Sequence, residues 1–205
     1  MLANHLKAVA FTAILACLSC SDSSKSASPE ANAQAASGTA QPVSAKTAYW
    51  AMYKSAYSWA KDLEDLGLES KTVAGVKNAD GKAGMWSATF GSPSRREARV
   101  FTYSVVSAAD IYKGVSVGHS LVWGGPSRDA MPIQNDAFSV DSDAAFKTAS
   151  DQAKSWLSKN PGKDATLTLG NNPSRFSAPV WYIVWGDKKS GYAVFINATT
   201  GAVAK

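Results

Sequence analysis

Cysteine is nearly absent from this 205-residue chain, since Cys17 and Cys20 are its only two examples and both lie within the first twenty residues. The rest of the chain therefore has neither a disulfide nor a thiol nucleophile. Histidine is equally scarce, and His119 is the only one beyond His5. A lone histidine cannot build the usual zinc site. These absences argue against disulfide-rich scaffolds, thiol enzymes and zinc enzymes.

Phosphate-binding and calcium-binding motifs are also missing. The glycines are scattered, and no glycine-rich loop follows a predicted strand. Asp141 and Asp143 lack the glycine and the distant glutamate of a calcium loop, so capping of a helix explains them better. The chain has a net charge of +5 but no basic run longer than a pair. We therefore predict no cofactor, no metal and no nucleic-acid partner.

The first sixteen residues have the pattern of an export signal. A basic start at Lys7 precedes an apolar run that is too short for the ~20 residues of a membrane-spanning helix. The run ends at Ala16 beside Cys17, in the arrangement of a bacterial lipoprotein signal whose cysteine receives the lipid. We predict a signal peptide at 1–16 and lipidation at Cys17, with Cys20 as the alternative site. An ordinary secretory signal cut after Ala16 or Ser19 is the competing interpretation.

Residues 17–45 are predicted to form a disordered tether. They are rich in Ser, Ala, Gln, Gly and Pro and have almost no large apolar residue, so they cannot bury enough surface to offset the entropy of ordering. Neither cysteine is followed by aspartate, a pattern that indicates transfer to the outer membrane in a Gram-negative cell. The predicted location is the bacterial cell envelope, with the lipid-anchored domain facing the periplasm or the cell surface.

The last third of the chain predicts a helix followed by three strands. Apolar residues recur at helical spacing from Phe146 to Leu157, and a proline and a glycine end the pattern after Asn160. Runs rich in β-branched and aromatic residues then occur at 165–169, 180–185 and 192–196.

The preceding part of the chain repeats this order. The aromatic and apolar residues from Tyr49 to Leu63 recur at helical spacing, and they predict a helix that ends near Gly67. Trp86 occupies a place in its strand similar to that of Trp181 in the later copy. The predicted strands are 70–76, 84–90, 99–106 and 114–123. We therefore predict an α+β fold of two tandem units, each a helix plus an antiparallel sheet, at 46–126 and 140–205 with a linker at 127–139.

The later unit, 140–205, resembles the PepSY family. The likeness is carried by the helix opening at 140–146, the strand pair at 179–185 and 192–196, and the Thr-Gly turn at 197–201. Family members commonly have aspartate where this chain has Asn197. The resemblance implies a cystatin-like helix on a small antiparallel sheet in an exported protein, and some members are propeptides that restrain a peptidase. The first unit is similar to a more divergent copy.

Aromatic residues supply the candidate binding site. Apolar side chains occupy both faces of the strand at 180–185, so something must cover its second face. Either the companion unit packs there, or an exposed face formed by Trp181, Tyr182, Trp185 and Tyr192 binds a peptide, a glycan or a partner protein.

A serine hydrolase is the weakest functional alternative. His119 and Ser120 partly match a nucleophile elbow, with Asp110 as the acid, but Val122 replaces the second glycine and the segment has a strand pattern. We therefore predict a lipid-anchored protein that is not an enzyme and that binds an envelope protein or a peptidase. A structural envelope lipoprotein without a discrete ligand is the other alternative. The oligomeric state is left open.

Overall fold

Two α-helices and seven β-strands make up the described part of the chain, which covers residues 40–127, 130–187 and 190–205 of a computed structural model. The helices are α1 (Ala45–Trp59) and α2 (Ser142–Lys159), and a single 3-10 turn, Asn135–Ala137, precedes α2. The strands are β1 (Glu64–Lys71), β2 (Met85–Ser92), β3 (Glu97–Ser104), β4 (Gly114–Val122), β5 (Ala165–Gly170), β6 (Val180–Trp185) and β7 (Tyr192–Asn197). The fold class is α+β, as predicted. The predicted signal, Cys17, Cys20 and residues 17–39 of the predicted tether lie outside the described residues.

All seven strands belong to one antiparallel sheet with the order β4-β3-β2-β1-β5-β6-β7. Each half is a helix followed by a run of neighbouring strands, and the halves join where Leu68 of β1 pairs with Leu169 of β5. The two halves therefore share one seven-stranded sheet, whereas two tandem units with a sheet each are predicted from the sequence. The prediction that one unit packs on the sheet face of the other is wrong. Instead, the edge strands β1 and β5 pair with each other through their backbone groups.

One hydrophobic core lies between the sheet and the two helices. Ala48 and Ala56 of α1 and Ala145 and Ala149 of α2 are completely buried in the same cluster as the large rings of the strands. Tyr49 and Met52 of α1 are also buried, and the rings of Trp86, Phe90, Phe101 and Trp181 fill the strand side of this core. The opposite face of the sheet has no helix on it within the described residues.

Two buried tryptophans hold equivalent positions in the two halves. The indole N–H of Trp86 donates to the carbonyl oxygen of Val43 at 3.0 Å, and that of Trp181 donates to the carbonyl oxygen of Val140 at 3.0 Å. Each acceptor lies two residues before the helix of its own half. The two rings meet edge to face with centroids 6.4 Å apart. The predicted equivalence of Trp86 and Trp181 is confirmed.

A single carboxylate caps both helices. Asp141 Oδ1 accepts hydrogen bonds from the backbone N–H of Ser142 at 2.7 Å and from that of Lys46, in α1, at 3.0 Å. The hydroxyl of Ser142 in turn accepts from the N–H of Ala45 at 2.9 Å. Free N–H groups at a helix start favour an oxygen acceptor with negative charge. The predicted capping role of Asp141 is therefore confirmed, and the cap also joins the two halves.

The boundary between α1 and β1 differs from the prediction. The helix ends at Trp59 and not near Gly67, and β1 covers 64–71 where a strand at 70–76 was expected. The carboxylate of Asp62 accepts from the N–H of Ser94 and from the hydroxyl of Ser92, both at 2.7 Å. These bonds to the end of β2 hold 60–63 as a connection, and no local pattern signals them.

The predicted tether ends too late in the chain. Val43 and Ala83 exchange two backbone hydrogen bonds of 3.0 Å, and Ala45 is completely buried at the start of α1. The fold therefore begins by Val43, because its pairing partner lies just before β2.

Candidate binding site

The predicted aromatic binding face is not a surface of the folded chain. Trp181 is 0% exposed and Trp185 is 2% exposed, and both lie on the side of β6 that the helices cover. Tyr192 pairs with Trp185 and stacks on Trp156 of α2, with 5.8 Å between ring centroids. Tyr182 alone lies on the other face, because side chains alternate along a strand. The prediction is wrong for Trp181 and Trp185, since these rings fill the core.

The second face of β6 is covered in part by the segment that leads into the strand. Phe176 packs on Phe195 of β7 with 4.9 Å between centroids, and Phe195 stacks on Tyr182 at 4.8 Å. Val180 and Val184 on this face are also buried. The cover therefore comes at least partly from a local loop.

The residues of the hydrolase alternative are not joined by hydrogen bonds. The Ser120 hydroxyl accepts from Arg99 Nε at 2.7 Å and donates to Glu97 at 3.1 Å. His119 lies beside it at the bulge of β4, and Asp110 belongs to the preceding loop. Ser120 thus bridges an Arg–Glu pair on β3 instead of contacting a base.

The outer edge of β4 is open. Within the described residues, this nine-residue strand pairs with β3 alone. Val117 is 51% exposed, Leu121 is 55% exposed and Val122 is 98% exposed. The strand contains neither lysine nor proline, the residues that commonly block an edge, although a bulge bends it at Gly118 and His119. Such an edge is a template for another strand.

The opposite edge of the sheet is partly closed by the chain itself. The N–H of Asn197 donates to the carbonyl of Ala202, and that of Ala204 donates to the carbonyl of Phe195, both at 2.8 Å. The turn between them is held by Asn197 Oδ1, which accepts from the N–H groups of Thr199 and Thr200 at 2.9 Å. Only the first residues of β7 keep a free edge, so the two ends of the sheet are unequal.

A buried carboxyl group lies at the start of β1. Asp65 is 6% exposed, accepts from the N–H of Gly67 at 3.0 Å and is hydrogen-bonded by the Tyr49 side chain. Burial raises the pKa of Asp65 to about 7, although both hydrogen bonds act to lower it. Burial and the charge of Asp65 also raise the pKa of Tyr49. No sequence signal identified this group, because Asp65 follows Glu64 in an ordinary polar stretch.

A pocket of about 360 Å³ opens beside Asp65. Tyr53 and Glu64 line it on one side, and Met131 and Gln134 line it on another. Glu64 Oε2 is buried without a hydrogen-bond partner among the described residues, and burial followed by the charge of Asp62 raises the pKa of Glu64. Two carboxyl groups with raised pKa values therefore make this pocket sensitive to pH.

No set of three or more histidine, cysteine, aspartate or glutamate side chains is grouped for a metal ion in the part of the chain that the structure describes. Asp143 Oδ1 accepts from the N–H of Ala144 at 2.8 Å at the start of α2. No helix among the described residues has the length and apolar character to cross a membrane.

Over residues 40–127, 130–187 and 190–205 the fold is α+β, with β4 at one end of the sheet open along its outer edge and β7 at the other end partly closed. Neither a protein-family model nor a curated protein matches the sequence. Among solved structures, the chain is similar to a candidate lipoprotein from Clostridium difficile 630, seen in a crystal structure. The two share 11% identity with a TM-score of 0.47, over 82% of this chain and 93% of the other. A likeness at this level carries no argument about function, which must come from the chain's own residues.

Proposed function

We propose that this chain is a lipid-anchored protein of the bacterial cell envelope whose folded part is a non-catalytic module that binds an extended peptide along β4. The observation that carries the proposal is the inequality of the two sheet edges. One edge is partly closed by residues 202–204, whereas the nine-residue β4 has no partner on its outer side within the part of the chain that the structure describes. An extended segment that adds to such an edge gains a ladder of backbone hydrogen bonds.

Side chains on β4 would supply specificity for the added strand. Val117 pairs with Phe101 on the helix side of the sheet, whereas Leu121 pairs with Ala98 on the other side. Both side chains are about half exposed. An added strand that carries an apolar residue on each of its two faces would therefore cover Val117 on one side of the sheet and Leu121 on the other, and such side-chain contacts are the usual source of selectivity in strand addition.

The anchor is supported by the distribution of cysteine. Cys17 and Cys20 follow a signal-like segment, and no cysteine occurs in the folded part. A tether of roughly 25 residues between Cys17 and Val43 would let the module reach a partner some tens of ångströms away from the membrane. The resemblance to peptidase propeptides makes an envelope peptidase the first partner to test.

Replacing Cys17 by serine is expected to abolish incorporation of a labelled fatty acid and to release the mature protein from membranes, because that thiol would carry the lipid. The measurement is metabolic labelling followed by mass spectrometry of the mature N-terminus. Cys20→Ser is the matched control and should retain the label. An unmodified N-terminus in the wild type would contradict the lipoprotein assignment, and loss of label only in Cys20→Ser would move the anchor to Cys20.

A photocrosslinking amino acid at Leu121 is expected to give one defined protein adduct in intact cells. The same amino acid at Trp50 on α1 is the control, because Trp50 is 49% exposed and Leu121 is 55% exposed. Identical adducts at both positions, or none at Leu121, would contradict binding along β4. Absence of any adduct would favour the structural lipoprotein.

A proline at position 122 tests whether the backbone of β4 makes the contact. The N–H of Trp123 donates to the carbonyl of Arg96 at 3.0 Å, so the N–H of Val122 points away from β3. Combining Val122→Pro with the Leu121 crosslinker should lower the adduct yield about tenfold with little loss of stability, because proline removes an outward donor and obstructs the incoming strand. Unchanged yield would show that side chains alone hold the partner.

A further inference from the structure

A groove of about 460 Å³ lies on the sheet face opposite the helices, over β5, β6 and β7. Its wall contains three aromatic rings, with the Tyr182 and Phe195 rings stacked at 4.8 Å and 21°. Phe176 packs against Phe195 at the other end, with 4.9 Å between centroids. Neighbouring polar groups come from Thr168 and Asn172. The groove therefore combines flat apolar surfaces with hydrogen-bonding groups.

Among the described residues that line this groove, Arg175 is the only charged one. Its guanidinium carbon lies 4.4 Å from the centroid of Phe195 and 5.0 Å from that of Phe176. No carboxylate of the described residues forms an ion pair with it. Glu69, whose strand neighbour is Thr168, is already paired with Lys71 at 2.6 Å. The groove thus presents a positive charge that no described carboxylate neutralises.

Two further polar groups are free to bind a ligand. Asn172 uses its side-chain oxygen to accept from the N–H of Ser174 at 3.1 Å. Its amide nitrogen and the Tyr182 hydroxyl make no hydrogen bond to another described residue. An arginine resting on an aromatic ring keeps its edge N–H groups available for a carboxylate.

We propose that this groove binds an acidic sugar ring, of the uronic acid type, in an anionic polysaccharide. The Phe195 ring is already covered by Tyr182, Arg175 and Phe176, so the C–H face of the sugar would pack on the Tyr182 ring on its Thr168 side. The carboxylate would pair with Arg175, and the hydroxyls would bond to Asn172 and to the Tyr182 hydroxyl. An extended peptide is the poorer fit, because β6 pairs with β5 and β7 along both of its edges and offers no free backbone here. This site is separate from β4, so it does not rest on the proposed function.

The test is calorimetric titration of the mature chain with a short uronic acid oligosaccharide and with its carboxyl-reduced counterpart. The acidic form should bind at least about tenfold more tightly, since a charge-assisted bond is lost in the reduced form. Arg175→Gln should reduce the affinity for the acidic oligosaccharide to that for the reduced one, with an unchanged melting temperature. Lys71→Gln is the matched control on the same face and should bind as the wild type does.

A second variant separates the positive charge of Arg175 from its planar guanidinium group. Arg175→Lys keeps the positive charge but loses the planar stacked group, so binding should be intermediate between the wild type and Arg175→Gln. Equal affinity for the acidic and reduced oligosaccharides would overturn the proposal. So would undiminished binding by Arg175→Gln, no binding by the wild type, or equally tight binding of a short peptide carboxylate without a sugar.

Discussion

Replacement of Trp181 by alanine is expected to lower the free energy of unfolding by about 3–5 kcal/mol, the usual cost of truncating a buried aromatic side chain. The ring is 0% exposed, contacts Trp86 and Phe138, and donates its indole N–H to the Val140 carbonyl oxygen. Truncation would leave a cavity at the junction of the two halves and an unpaired carbonyl. Chemical denaturation at constant pH measures the loss.

Two further variants show where the loss comes from. Trp181→Phe keeps most of the ring but removes the N–H, so it should cost about 1–3 kcal/mol. Trp50→Ala removes the same side chain from a half-exposed helix position and should cost less than about 1 kcal/mol. A small effect of Trp181→Ala, similar to that of Trp50→Ala, would show that Trp181 is not part of the core.

Replacement of Asp65 by asparagine is expected to remove a large part of the pH dependence of stability between pH 4 and pH 7. The pKa of Asp65 is about 7 in the folded chain, against an ordinary value of 3.8. At a pH between these two pKa values, Asp65 is protonated in the folded state and ionised in the unfolded state. Raising the pH therefore favours unfolding, by roughly 4 kcal/mol over the whole interval. The neutral amide of the variant has no proton to lose.

The measurement is the free energy of unfolding of both proteins from pH 4 to pH 8. The wild type should become less stable as the pH rises to about 7 and then level off, whereas Asp65→Asn should change less and be the more stable protein at pH 8. Parallel curves would contradict the assignment.

Two neighbouring carboxyl groups serve as internal checks on this pH dependence of stability. The pKa of Glu64 is also raised, so Glu64→Gln should remove a further part of the loss of stability that accompanies a rise in pH. Hydrogen bonds from the Ser94 N–H and the Ser92 hydroxyl lower the pKa of Asp62 to about 2. The stability that Asp62 contributes is therefore lost only as the pH falls below about 4, outside the interval in which Asp65 titrates.

Much of the local structure was predictable from the sequence. The helix at 142–159 and the strands at 165–170, 180–185 and 192–197 agree with the apolar spacing and the turn residues. Equivalent placing of Trp86 and Trp181 also followed from their positions within their strands. These features depend on residues close together in the chain, so periodicity identifies them.

The candidate site was less accessible to sequence reasoning. Trp181 and Trp185 are apolar and alternate with other apolar residues, so the pattern could not distinguish the helix-covered face from the open one. Asp65 is polar and follows Glu64, and only its contacts with Tyr49 and Gly67 show that it is buried. The openness of β4 likewise depends on which strands lie at the ends of the sheet.

The sequence by itself determined the α+β class, the order of helix and strands in each half, the cap of α2 by Asp141, and the confinement of cysteine to the first twenty residues. Tertiary structure decided that β1 pairs with β5, so that both halves share one sheet and both helices cover one face. It also decided that β4 lies at one end of the sheet and that the Asp65 carboxyl group is buried. The reason is that burial and strand pairing depend on residues far apart in the chain, whose meeting no local pattern encodes.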